Sequence, residues 1–268
     1  MEEANTTARE AAQLLLDRIR AQRIEAAFVM GSGWKEAADA IGPVSEQVEM
    51  TALPGFIAPS AAGHAGRIHA VRRGDRTVLV FHGRVHLYEG YGPLAVAHGV
   101  RTAIAAGART VVLTNACGSL TEDLPVGAPA LIRDHINFTA RTPLIGARFI
   151  DLTEVYSERL RRACRVFDRS IGEGVYGGWF GPAFETPAEI RMMKSLGVDL
   201  VGMSTVLEAI AAREGGAEVL GLSLVTNRAA GLAGKKLSGD EVLEVAAAAI
   251  PRLRPLLGAV TELLLEQA

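Results

Sequence analysis

The chain reads as an α/β fold on a largely parallel sheet, and three observations carry that reading. Short apolar runs alternate with longer amphipathic or alanine-rich stretches. Three of those stretches open on a Ser or Thr followed three residues later by Glu, a pairing that satisfies the first free amides of a helix. The chemically loaded residues gather directly after the apolar runs, where an open α/β sheet binds its ligand.

Taken in order, a polar helical pattern predicts the first helix over 6–22, and an apolar run predicts a strand at 27–30 that ends in Gly31-Ser32-Gly33. A strand at 78–81 leads into the loop from Gly83 to Gly90, and helix 93–106 follows. Strand 111–114 delivers Asn115-Ala116-Cys117-Gly118; helix 153–167 and strand 175–180 come next, the latter leading to Phe184-Glu185. Helix 187–196 is announced by Thr186, Pro187 at its first position and Glu189, and helix 205–215 by Thr205 and Glu208. A strand at 219–225 ends in Thr226-Asn227, and Ser238 with Glu241 opens a last helix over 239–266. No linker, repeat or composition break divides the chain, so one compact domain over residues 1–268 is expected.

Composition bounds what this fold can do. With 268 residues, 49% of them hydrophobic, the chain buries enough surface to hold a core without disulfides or metal. Cys117 and Cys164 have neither Cys-x-x-Cys spacing nor a His cluster beside them, which fits a reducing compartment and no metal site. The start, Met1-Glu2-Glu3-Ala4, is acidic and leads into a helical pattern rather than an apolar leader, so a cytoplasmic location is expected. No run approaches about 18 apolar residues, the length needed to cross a membrane. The net charge is -2 and the 28 basic residues are scattered, which argues against a nucleic-acid partner.

Each candidate segment has a chemical reading and a plainer one. Gly31-Ser32-Gly33 can bring amides close to an anion or serve as an ordinary strand-to-helix turn; Glu36 stands where a dinucleotide fingerprint needs a third glycine. Arg84 and His86 share a face if extended and offer donors to phosphate oxygens, with His64 in its glycine-flanked loop a third donor. Single histidines in such places are also structural. Ser204, before the helix at 205, suits an anion or merely flanks the cap. Glu185 precedes a cap that already uses Glu189, so it is either solvated or held for a ligand N–H. Asn227 can donate and accept on a purine edge, or simply form a turn.

In their order along the chain these segments resemble the trimeric, low-molecular-mass purine nucleoside phosphorylases. The resemblance rests on Gly31-Ser32-Gly33, Gly83 through Tyr91, Thr114-Asn115-Ala116, Asp134-His135-Ile136-Asn137, Gly181 through Thr186, Val201 through Thr205, and Thr226-Asn227. It spans about residues 28–245; the tyrosine-containing and Gly-Met-Ser-Thr segments are specific, whereas Gly-x-Gly alone is not. It implies a single-domain fold with a central mixed, largely parallel twisted sheet flanked by helices. It also implies phosphorolysis of 6-oxopurine nucleosides, with inosine, guanosine and their 2′-deoxy forms as substrates. Inorganic phosphate is then a co-substrate, and no cofactor or metal is needed.

By the same resemblance, phosphate falls to Ser32, Arg84, His86, the amide of Ala116 and Ser204, with His64 closing over it. Glu185 and Asn227 recognise the purine, Phe184 packs on the ring, Val201 and Gly202 line it, and Tyr88 and Met203 contact the pentose. His86, Glu185 and Asn227 carry the catalytic role. Phe149 resembles the aromatic residue that family members lend to the neighbouring site, which implies a homotrimer. The chemistry suits these types: the glycosidic bond loosens toward an oxocarbenium ion while Asn227 donates to N7 and Glu185 accepts from N1–H of the departing purine. Adenine has no N1–H, so 6-oxopurines are favoured.

The pattern departs at Gly239, which stands where many members carry a His that contacts the pentose 5′-hydroxyl. That departure keeps open a phosphorylase of 5′-modified nucleosides such as 5′-methylthioadenosine, and a nucleoside-binding homologue without turnover. Cys117 stands where a small residue is more usual and is expected only to pack.

Overall fold

The computed structural model describes residues 2–61, 64–232, 234 and 239–266. Its first helix, α1 (Glu2–Ile19), buries Ala8, Ala11, Ala12, Leu15 and Ile19, a stripe at helical spacing. The helix stops three residues before the sequence expectation because Arg20 turns left-handed at φ 52°, and Ala21 N–H closes onto Leu16 C=O at 3.1 Å. No glycine marks that stop.

The expected strands appear as β1 (Ala26–Met30), β4 (Arg76–His82), β5 (Thr110–Ser119), β7 (Gly172–Gly178) and β9 (Glu218–Arg228). Four more were not expected: β2 (Val44–Glu49), β3 (Arg67–Arg73), β6 (Pro129–Asn137) and β8 (Leu200–Gly202). β2 is exposed at five of its six positions and β3 is rich in arginine, so neither presents an apolar run. β3 and β4 form a hairpin across Gly74-Asp75, with Gly74 at φ 65°.

The remaining helices are α2 (Gly92–Ala105), α3 (Glu158–Phe167), α4 (Pro187–Ser195), α5 (Val206–Glu214) and α6 (Gly239–Glu266). α3 begins five residues later than expected, where the Ser157 hydroxyl accepts from Leu160 N–H at 3.3 Å. The capping box at Thr186 and Glu189 forms as read: Thr186 N–H donates to Glu189 at 2.7 Å, and Glu189 N–H to the Thr186 hydroxyl at 3.2 Å. Ser238 lies outside the described residues.

The sheet is mixed. β1 pairs in parallel with β4 and β5, and β5 with β9; β2 and β3 extend the β4 edge antiparallel. β5 also meets β8, which continues through β7 and β6 back to β9, so five strands close on themselves. β1 is buried at every position and alternates between two cores. Ala27 and Val29 face α1, α2 and α5 through Leu15, Val100 and Ile210, whereas Phe28 and Met30 face Trp34, Leu160 and the Leu253–Val260 stretch of α6. The parallel pairing brings the carboxyl ends of β1, β4, β5 and β9 to one side, the place a parallel sheet offers a ligand. Among the described residues no helix is long and apolar enough to cross a membrane.

Candidate active site

A cavity of about 240 Å³ opens at those strand ends. It gathers Ser32, Arg84, His86, Tyr88, Ala116, Phe184, Glu185, Val201, Gly202, Met203, Ser204 and Asn227, twelve of the fourteen residues singled out in the sequence. His64 and Phe149 do not line it.

After β1 the chain passes so close to β5 that a Cβ on Gly31 would lie 2.3 Å from Thr114 O and 2.7 Å from Arg84 Nη1. Glycine is required there, and it brings Ser32 beside the guanidinium. Gly31 N–H donates to Thr114 Oγ1 at 2.8 Å, which locks the turn. After β4, Arg84 is buried, with Nε on Glu208 Oε1 at 2.9 Å, Nη1 on Thr114 O at 2.6 Å and Nη2 on Val29 O at 3.3 Å.

His64 sits behind this group. Its Nδ1 accepts from Arg84 N–H at 2.8 Å, which puts the ring proton on Nε2, and its ring stands edge-on to His86 at 5.0 Å. His86 in turn stacks on Tyr88 at 4.8 Å and lies 3.3 Å from Glu89 Oε1. Burial lowers His64 to about 3, helped by His86 and Arg84, and lowers His86 to about 4 against the pull of Glu89. Both rings are therefore neutral at pH 7, and Arg84 is the cationic donor among the proposed phosphate contacts. Burial pushes the Glu89 carboxyl up, but bonds from Ser60 and His86 outweigh it and hold it below the ordinary value.

The other residues come from the closed part of the sheet. Asn227, at the end of β9, donates Nδ2 to Arg228 O at 2.9 Å, while its Oδ1 accepts from Thr226 at 3.0 Å. Gly118 lets it approach: a Cβ there would stand 3.1 Å from Asn227 Nδ2. Gly202 is needed as well, since a Cβ would meet Tyr176 Oη at 2.3 Å. Glu185 is buried, desolvation raises its pKa, and among the described residues no side chain donates to it. Phe184 remains half exposed at the cavity wall.

Phe149 is 93% exposed, so its own chain leaves it bare. The cavity also has members not assigned a role from the sequence: Asn115, Gly118, Thr226 and Val242, together with Cys117 and Gly239. Asn115 and Thr226 lay inside quoted motifs, but Val242 carried no signal beyond helical apolarity. Cys117 is buried and unpaired, and burial pushes its thiol up to about 12, so it is no nucleophile at neutral pH. Among the described residues no group of three or more His, Cys, Asp or Glu could hold a metal ion.

Comparison with known proteins places the chain in a family. The sequence model of the Phosphorylase superfamily matches residues 25–262. The chain is 54% identical to the purine nucleoside phosphorylase of Mycobacterium tuberculosis over 253 residues, 94% of each chain. It is 50% identical to that of Cellulomonas sp over 260 residues, 95% of this chain and 92% of the relative. Among solved structures, isoform 2 of purine nucleoside phosphorylase from Schistosoma mansoni, in complex with cytosine and ribose-1-phosphate, superposes with a TM-score of 0.85 at 29% identity, covering 96% of this chain and 95% of that one. The chain belongs to the Phosphorylase superfamily and, within it, to the purine nucleoside phosphorylases.

Proposed function

We propose that the chain cleaves 6-oxopurine nucleosides, inosine and guanosine and their 2′-deoxy forms, with inorganic phosphate, releasing the free base and (deoxy)ribose 1-phosphate. The observation that carries this reading is one cavity containing two chemically distinct sets of residues. Ser32, Arg84, His86, the Ala116 backbone and Ser204 are anion donors, while Glu185 and Asn227 are an acceptor and a donor fit for a purine edge.

Phosphate lies against Arg84, the neutral imidazole of His86 and the hydroxyls, with His64 closing behind. Tyr88 and Met203 contact the pentose. As the glycosidic bond lengthens, negative charge builds on the base, and Asn227 at N7 stabilises it where it appears. Glu185 accepts from N1–H. The bound anion stabilises the oxocarbenium ion and then bonds to the anomeric carbon, so the electron pair of the broken bond leaves with the purine. The reading extends to a cytoplasmic homotrimer in which Phe149 covers the pentose side of a neighbour's cavity.

Base release from inosine, guanosine, adenosine and 5′-methylthioadenosine, each with and without phosphate, tests it. Phosphate-dependent release from inosine and guanosine alone is expected. A second reading draws on one observation: Gly239 lines the cavity, and among the described residues a Cβ there would meet nothing within 4 Å. That room suits a 5′-modified nucleoside, and faster phosphorolysis of the methylthio compound would select this reading.

A further inference from the structure

Beneath the cavity lies a buried polar network whose centre is Glu208, a residue that the sequence marks only as half of a capping box. Its side chain is 2% exposed and that of Arg84 3%. Oε1 accepts from Arg84 Nε at 2.9 Å, and Oε2 accepts from Thr205 N–H at 3.0 Å. Thr205 stands at φ 75° and ψ −49°, a backbone state that a β-branched residue holds only when its surroundings over-determine it. Asn115 Nδ2 adds a bond to Thr205 Oγ1 at 2.8 Å, and Ser204 Oγ lies 3.1 Å from the same hydroxyl. Arg84, Asn115 and Ser204 line the cavity, whereas Thr205 and Glu208 do not.

We propose that Glu208 is a positioning residue for phosphate. One carboxylate ties the Arg84 guanidinium, carried by the end of β4, to the Ser204-Thr205 turn that opens α5, and so sets the spacing of the two halves of the phosphate site before phosphate arrives. The inference rests on the reading of the cavity as a phosphate site. A guanidinium already anchored at three of its nitrogens loses little freedom when the anion binds, which is the advantage of preorganised donors.

The requirement is for two acceptors on one side chain. Glu208 meets an N–H at each oxygen; Gln has a single carbonyl oxygen and must turn its NH₂ toward one of those donors. Helix capping alone is served equally by Glu and Gln. Asp keeps both acceptors and the charge but is one methylene short.

The test is steady-state kinetics of Glu208→Gln and Glu208→Asp, with phosphate and inosine varied separately. In Glu208→Gln the KM for phosphate rises about tenfold or more while the KM for inosine stays within about twofold, as expected when one partner of a buried charge pair is changed. In Glu208→Asp it rises about threefold, because the acceptors survive at a longer reach. The rise in melting temperature on adding inorganic phosphate shrinks in the same order. A Gln variant with an unchanged phosphate KM overturns the proposal and leaves Glu208 as a cap. Should the Gln variant not fold, Asp carries the test, and an unchanged phosphate KM there overturns it equally. Wild-type base release that ignores phosphate instead overturns the reading of the cavity, and this is seen before any variant is made.

Discussion

Glu185 lines the cavity as a buried carboxyl that no neighbouring side chain satisfies, and desolvation favours its protonated form. Its own backbone N–H gives partial relief; on the proposed reading a purine N1–H would add a second donor, and binding would then favour the ionised form that burial disfavours. Glu185→Gln offers the ring an NH₂ or a weaker carbonyl, and kcat/KM for inosine should fall about 10²–10³-fold. Inosine kinetics at saturating phosphate measure this, and an unchanged value would remove Glu185 from the purine site. The same residue fixes the acid side of the pH profile. Its pKa is raised, so on acidification it takes up a proton above the ordinary 4.5 and loses its second acceptor. kcat/KM should therefore decline on a limb centred above 4.5, whereas His64 and His86, at about 3 and about 4, remain neutral through that range. Glu185→Gln should flatten the limb. A limb that persists in this variant assigns it elsewhere.

At the scale of elements, the sequence is legible wherever an element's own residues settle its conformation. The strands 78–81 and 219–225 are apolar because both their faces are covered, and the Thr186 box marks its helix start to the residue. β2, β3 and β6 are different, since their pairing comes from partners distant in sequence: β2 survives through its register with β3, and β6 through β7 and β9. The site divides in the same way. Twelve of the fourteen residues singled out in the sequence converge on one cavity, but Glu208 was hidden by a sufficient local explanation, its capping box. The end of α1 is a further case, because Arg20 occupies a position that glycine usually fills. A side chain held at φ 52° is strained, and glycine removes the strain while adding freedom to the unfolded chain. The first effect is the larger, so Arg20→Gly should stabilise the protein by up to about 1 kcal/mol, read as a rise of about 2 °C in melting temperature. A lower melting temperature would show that the turn gains more from arginine than φ suggests.

For the whole molecule the open question is what covers Phe149. Burying an aromatic ring of this kind contributes about 1.5–3 kcal/mol. Its own chain gives it almost none of that, for the residue is 93% exposed and does not line its own cavity. A homotrimer resolves this if each chain lends the ring to the next, and an assembly of about 85 kDa, three times the 28.3 kDa chain, is expected by sedimentation. Mass alone does not show that the sites are shared, but a pair of defective chains does. Phe149→Ala keeps a complete cavity yet lends no ring, so its kcat/KM should fall. Glu185→Gln has a damaged cavity but still lends its ring. When the two are dissociated, mixed and reassembled, some Phe149→Ala cavities come to lie beside an intact Phe149, and the mixture should be more active than the average of the two separate trimers. Activity equal to that average means that each chain completes its own site, and Phe149 would then be a surface residue.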